Sequence, residues 1–560
     1  MSRLRVRKAL LMAALGSTAA CDSSTDTSVE PSRCDAAVAT SVRLPVGGTQ
    51  RLETEAARCF RVESGGDYLV ATQLAGRSAP VGRFAAQFGT PGPATAPPTG
   101  TELGLRLQDE RSPSDALHDA LRRREQALAP MAVAATRADR PGATALARTV
   151  PTLGSLSRFS VLRTLAEPAA YAAVEAVAAY VGAQVVVYVD TAAREAFSAS
   201  QWDAFGRGFD DVLFPTATAA FGATSDLDGN GRTLVLFTPV VNALVTQLEC
   251  AQLGYVNGFF FANDLTPGAT GGNEGEIFYA YVPDPTGRWS CPHGAAEVRE
   301  TIPPTFIHEL QHMISWQQHV LSRRGPPEES WLNEGLSHMA EQLGADWYAT
   351  RYPAPSGRAN TSRLLPDSAY PYLRGNLTNA TRWLELPSGH SLTRLSPTSA
   401  GTLGERGAAW LFLRWLATQR GAGAIRSLVQ TDQIGAANIE AVLGRPLGVA
   451  MAEFAAALWT DSIAGQPRPT EVSRRMGDPA LRALFFEFQQ RDPARAAGTF
   501  PLMPLPLRGA QRRLFGLPSG GMALFDWTAA AGDVMNFRRP DNQPFGSALG
   551  AQVVLLRRSE

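Results

Sequence analysis

The residues best able to do chemistry in this 560-residue chain lie in HELQH, at His308, Glu309 and His312, and in WLNEG, at Glu334. On a helix of 3.6 residues per turn, His308 and His312 stand one turn apart on one face, so two imidazoles can converge on one tetrahedral metal ion. Glu309 projects beside them, where it can take a proton from a metal-bound water and pass it to a leaving group. Ordinary buried helices also carry HExxH, so a third ligand decides between a metal site and a core helix.

Two residues compete for that place. His319 would lie about 10 Å along a continuing helix from His312, too far to share one ion, and reads as a surface or second-site histidine. Glu334 follows His312 after twenty-one intervening residues. These suffice for the end of one helix, a turn at Arg323, Arg324, Gly325, Pro326 and Pro327, and a second helix opening at Glu328 to Ser330. An antiparallel return would bring Glu334 beside the histidines. His338, one turn on, is either a partner that holds a ligand in place or a rival ligand. Glu341 either orients an imidazole or belongs to a solvated helix face.

The elements that must position these groups are read from periodicity. Before the site come a helix at Ala169–Tyr180, a strand at Gln184–Val189, a helix at Ser200–Val212, a strand at Thr233–Phe237 and apolar runs at Tyr255–Phe261 and Glu276–Val282. After it, Arg406–Thr418 and Val449–Trp459 read as strongly apolar helices. Residues 35–100 alternate apolar and polar positions between Gly and Pro and read as a small β-sandwich. Residues 101–166 read as a linker or pro-region with a charged helix at Ser112–Leu128, and 466–560 as a C-terminal β-rich module. The length alone predicts about two to four domains.

Asp226, Asp228, Asn230 and Gly231 form a DxDxNG loop whose alternating oxygens suit calcium. An EF-hand would need Glu at the twelfth position, where Phe237 stands, so the loop is either a partial calcium site or an Asx-rich turn before a strand.

HELQHMISWQ followed by EESWLNEGLSHMAE resembles the hyicolysin family of bacterial zinc metallopeptidases, gluzincins with a thermolysin-like core. DLDGNGRTLVLFTP, NEGEIFYAYVPDP and GAAWLFLRWLATQRG extend the likeness over about residues 180 to 465. The resemblance implies an α+β zincin domain at 167–465, with a strand-bearing N-terminal lobe and a helical C-terminal lobe, flanked by small β-rich domains. It implies zinc held by His308, His312 and Glu334, with Asn333-Glu334 as the ligand dipeptide, and Glu309 as catalytic base. It places a strand that pairs with substrate backbone at Glu276–Val282, unless that strand is interior. His390, fifty-six residues after Glu334, falls near the family's oxyanion-stabilising histidine, with Tyr370 and Tyr372 as competitors. The function implied is a zinc-dependent endopeptidase cutting peptide bonds in exported or extracellular proteins. Phe259, Phe260, Phe261 and Trp410 suggest a mild preference for a bulky apolar residue after the cut. A zinc aminopeptidase is a near rival, although no GAMEN-like segment is present. An envelope binding or adhesion lipoprotein with a vestigial metal site is a more distant one.

The 52 basic and 52 acidic residues cancel, which argues against a nucleic-acid partner. The start of the chain reads as a signal peptide over residues 1–20, with Arg3, Arg5, Arg7 and Lys8 before an apolar run. Cys21 follows a small-residue stretch, as in bacterial lipoproteins whose acylated cysteine anchors the protein to a membrane through a tether at 21–34. A plain secretory signal cut near Ala20 predicts export without the anchor. Of the four remaining cysteines, Cys34 with Cys59 and Cys250 with Cys291 is the simplest pairing, and two others are possible.

Overall fold

The computed structural model describes residues 34, 38–91, 112–137, 149–164, 169–353, 363–395, 402–461, 463, 468–496, 498–509 and 511–560, and three β-sheets organise these described residues. Of the signal peptide and tether expected over residues 1–34, all but Cys34 lies outside these, Cys21 included. From Cys34 to Glu560 the chain forms one compact unit of mixed α and β structure.

The first five strands are β1 (Thr40–Val42), β2 (Thr49–Glu53), β3 (Phe60–Val62), β4 (Gly66–Leu74) and β5 (Arg83–Gly89). The next six are β6 (Leu156–Thr164), β7 (Ala170–Val181), β8 (Val185–Asp190), β9 (Thr233–Phe237), β10 (Gly258–Phe260) and β11 (Ile277–Ala280). The last five are β12 (Leu505–Arg508), β13 (Arg512–Pro518), β14 (Met522–Ala529), β15 (Val534–Arg538) and β16 (Ala551–Arg557).

The middle group forms one six-stranded sheet in the order β10-β11-β9-β8-β7-β6. Its centre is parallel, β8 beside β9 and β9 beside β11. Every residue of β9 is buried, which is why TLVLF is a continuous apolar run: both faces of the sheet are covered. One expectation changes here. Residues 170–181 are strand β7, not a helix. Their alanines favour a helix locally, but Val174, Ala176 and Ala178 are buried at a period of two between β6 and β8, and ladder formation on both sides overrides the propensity. Of the two readings of the run at Glu276–Val282, the interior one matches: it supplies strand β11, and the edge strand on that side is β10.

The two β-rich ends of the chain are not separate modules. One sheet runs β1-β3-β15-β5-β13 and the other β12-β14-β4-β16-β2, so residues 40–89 and 505–557 interleave in both. Phe60, Phe88, Phe525 and Trp527 meet in the layer between them. The segment expected as a linker or pro-region is likewise absorbed, because β6 completes the six-stranded sheet and its helix packs into the core. Neither partnership has a local signature: each joins segments far apart in sequence.

Six helices matter for the site: α1 (Pro113–Arg137), α2 (Ala295–Trp316), α3 (Ser330–Arg351), α4 (Tyr370–Glu385), α5 (Leu403–Arg420) and α6 (Leu447–Thr460). Pro303 and Pro304 sit inside α2, yet Arg299 and Glu300, whose carbonyls lose their usual donors, are exposed to water. The chain leaves α2 through a wider helical turn at Gln317–Ser322, and Pro326 and Pro327 then prevent further helix. Gly335 allows α3 to press on α5, since a Cβ there would lie 2.9 Å from the Ala409 Cβ. The sandwich rests on this helical layer through Gln73 Nε2 to Met451 O and Gln552 Nε2 to Gly448 O. Among the described residues no single helix is long and apolar enough to cross a membrane.

Candidate metal centre

α2 and α3 run as the spacing predicts, and their facing sides bring three groups together. His308 Nε2 lies 3.2 Å from His312 Nε2. Glu334 Oε2 lies 3.5 Å from the first and Glu334 Oε1 3.6 Å from the second. Ligand bonds of about 2.0–2.2 Å at tetrahedral angles place donor atoms about 3.3–3.5 Å apart, so the three fit one small cation. Glu334 Oε1 is buried without a hydrogen-bond partner, a state that costs free energy until a cation or donor meets it. His308 and His312 belong, with Glu309, to a group that could hold a metal ion; Glu334 meets both imidazoles at the distances above, and two imidazoles with a carboxylate are a donor set that suits zinc.

Neighbouring side chains orient the donors. His308 Nδ1 is 2.6 Å from Glu341 Oε1, which also lies 3.1 Å from His338 Nδ1. The carboxylate thereby fixes a proton on His308 Nδ1 and turns Nε2 toward the cluster. Of the two readings of Glu341, the imidazole-orienting one matches its position, while His308, His338 and Glu341 also form a second group that could hold a metal ion. Ser337 Oγ, which donates to Gln311 Oε1, lies against the His312 ring at 3.2 Å. Arg406 of α5 donates through Nη1 to Glu334 Oε2 at 2.7 Å.

The electrostatics of the cluster favour a cation. Burial raises the carboxyl of Glu334, but Arg406 and His312 outweigh it and hold the group well below its usual range. For His308 burial opposes the charge, while Glu334 and Glu341 raise its pKa to about 10. Burial, followed by Arg122, keeps His312 well below the usual histidine range. A proton shared in this way occupies the place a divalent ion would take.

Glu309 is fully buried, and burial raises its pKa. One oxygen accepts from Phe260 N at 2.9 Å, and the other lies 4.0 Å from His308 Nε2. The histidine beside it is one that sequence reading passed over: His118 Nδ1 of α1, 3.3 Å from Glu309 Oε1. No spacing rule links residues so far apart in the chain, although a buried histidine in a helix rich in Arg, Asp and Glu was a signal of a kind.

Other expected residues lie elsewhere. His390 Nδ1 sits 3.2 Å from Glu405 Oε2, beneath Arg83, which holds the carbonyls of Ser388 and Gly389. It is not among the groups gathered at the metal donors. Tyr370 donates to Asp492, and Tyr372 stacks on Tyr348. His319 is buried, not on the surface, with Nε2 3.9 Å from Glu328. Phe259, Phe260, Phe261 and Trp410 are all core residues.

In the DxDxNG loop, Asp226 and Asp228 cluster with Glu276, whose Oε2 is buried without a hydrogen-bond partner. The three could hold a metal ion. Asn230 serves the turn instead, donating Nδ2 to Asp228 Oδ2 at 2.7 Å and accepting from Arg232 N at 2.6 Å. Glu276 comes from the segment entering β11, which is why the local pattern showed only half of the cluster. Cys34 bonds to Cys59 and Cys250 to Cys291, the simplest pairing; such bonds suit an oxidising compartment.

Comparison of the sequence with protein-family profiles gives no match. Comparison with curated proteins gives no significant match either.

Proposed function

We propose that the protein is a zinc-dependent endopeptidase of the gluzincin type, built on a zincin arrangement in which the β6–β11 sheet and the α3–α6 helical layer flank the metal centre. The observation that carries this reading is the approach of His308 Nε2, His312 Nε2 and Glu334 to within 3.2–3.6 Å of one another, with Glu309 alongside. The likeness of HELQH and WLNEG to the hyicolysin family supports it. Zinc on these donors would polarise a water and a peptide carbonyl. Glu309 takes the proton of the attacking water and returns it to the departing amine. Glu341 and Ser337 hold the two imidazoles, and Arg406 holds Glu334. The substrates are exported or extracellular proteins, in keeping with the expected signal and the two disulfides.

The deciding experiment is a metal assay with casein hydrolysis for wild type, Glu309→Gln and Glu334→Ala. Glu309→Gln is expected to keep about one zinc and lose most turnover, because Gln accepts no proton. Glu334→Ala is expected to lose both. Full activity in Glu309→Gln, or normal zinc affinity in Glu334→Ala, overturns the reading. Products that begin only one residue from the substrate amino terminus, with no internal cuts, would make the enzyme an aminopeptidase.

A further inference from the structure

A peptide cut at this centre must reach Glu309, yet Glu309 is 0% exposed and His308 and His312 are buried with it. α1 packs against the site, with His118 Nδ1 3.3 Å from Glu309 Oε1. Asp115, His118, Arg122 and Glu125 recur along one side of this helix at spacings of three or four residues, and all four are buried. Each meets a different group of the centre or its rim.

β10 is an edge strand three residues long, bonded to β11 on one side only. The N–H and C=O of Phe260 point away from β11; the N–H donates to Glu309 Oε2, and the C=O faces the side on which an extended substrate backbone would add as a further strand. Arg122 Nη2 donates to that carbonyl at 3.0 Å. Two residues on, Glu125 Oε1 accepts from Ala262 N at 3.1 Å. Arg122 Nη1 and Glu125 Oε2 stand 3.2 Å apart and complete the clasp. At the other end of the helix, Asp115 Oδ1 lies 3.2 Å from Arg406 Nη2, the guanidinium that also holds Glu334. Asp115 further accepts from Thr402 N and Oγ1 at 2.8 and 2.5 Å. Between these anchors His118 stands over Glu309.

We propose that α1 is an inhibitory segment seated in the substrate cleft, and that the folded chain is latent until the helix leaves. The helix side chains take the places of a substrate: they bond to Phe260 O at the outer edge of β10 and to Ala262 N just beyond it, engage the Arg406 guanidinium and cover the base. The contacts are polar and charged where they meet the rim. Leu121 and Ala132 of the same helix join the apolar core. This inference rests on the peptidase reading above.

Arg122→Ala/Glu125→Ala removes both clasps, on Phe260 O and Ala262 N, and leaves Glu309 and the metal ligands in place. Zinc content is expected to be unchanged, and cleavage of a quenched fluorescent peptide to rise about tenfold or more, as expected on losing two buried charge-assisted hydrogen bonds. His118→Ala is expected to raise the rate as well. A loss of activity in either variant with zinc retained would make α1 a permanent wall of the site, or His118 part of the chemistry, and overturns the proposal. Wild type provides a second measurement in case the variants fail to fold. Binding of a peptidyl hydroxamate should reach a rate ceiling set by helix release, and a rate that climbs linearly with inhibitor concentration overturns the proposal. If the purified protein holds no zinc, the peptidase reading falls by that result alone, and hydrogen exchange decides the helix. Exchange of residues 113–137 as a unit ahead of 295–316 supports a separable segment, and exchange together with 295–316 overturns it.

Discussion

Glu341 Oε1 stands 2.6 Å from His308 Nδ1, joining α3 to α2 one layer behind the metal donors. The contact fixes which nitrogen of His308 faces the centre, and the same oxygen meets His338. Outer partners of this kind typically contribute 10–100-fold to metal affinity. Glu341→Gln is therefore expected to weaken zinc binding by about that factor while leaving the fold intact, measured by competition with a chromogenic chelator. An unchanged affinity would reduce Glu341 to packing.

The Asp226, Asp228 and Glu276 cluster makes a separate claim. If it binds calcium, adding the ion to protein that retains zinc raises Tm, because a ligand that binds only the folded state stabilises it by mass action, about 2.7 kcal/mol at a hundred times Kd. Glu276→Gln and Asp228→Ala are each expected to abolish that response. Identical melts with and without calcium would leave Asp226–Gly231 as a turn.

Glu328 gives the clearest pH signature. Burial raises its carboxyl to about 8, against the hydrogen bonds from Gly435 N, Asn438 Nδ2 and Glu329 N that favour its charged form. The folded state thus keeps a proton that the unfolded chain loses near pH 4.5, and stability falls as pH rises from about 4.5 to about 8. Neighbouring His319, lowered to about 4 chiefly by burial, works in the opposite sense below pH 6.5. Above 6.5 Glu328 acts without that opposition, and its share of the loss between pH 6.5 and 8 is about 2 kcal/mol. Comparison of denaturant midpoints at the two pH values should show a smaller loss in Glu328→Gln than in wild type; equal losses would refute the assignment.

Export and anchoring rest on residues outside those described. Cys21→Ser is expected to move the protein from the membrane fraction to the soluble one, since the lipid is the anchor the sequence suggests. Unchanged fractionation would reject acylation as the anchor.

Much of the centre was legible because its logic is local. The four-residue step from His308 to His312 is one helical turn, and the proline-bearing stretch before Glu334 has the length an antiparallel return needs. Strand β9, helices α5 and α6 and the cysteine pairing were legible for similar reasons, as short-range periodicity and chain proximity determine them. What only the tertiary structure decided was partnership across the chain. Residues 170–181 carry helix-favouring alanines and become strand β7 because two ladders claim them. The first and last β-segments share two sheets because main-chain hydrogen bonding is indifferent to sequence distance. His118 reaches Glu309, Arg406 reaches Glu334 and Glu276 reaches Asp228 through the packing of elements whose contacts no spacing encodes. The residues joined to the centre by a helical turn were written in the sequence; those brought beside it by a sheet edge or a crossing helix were written only in the fold.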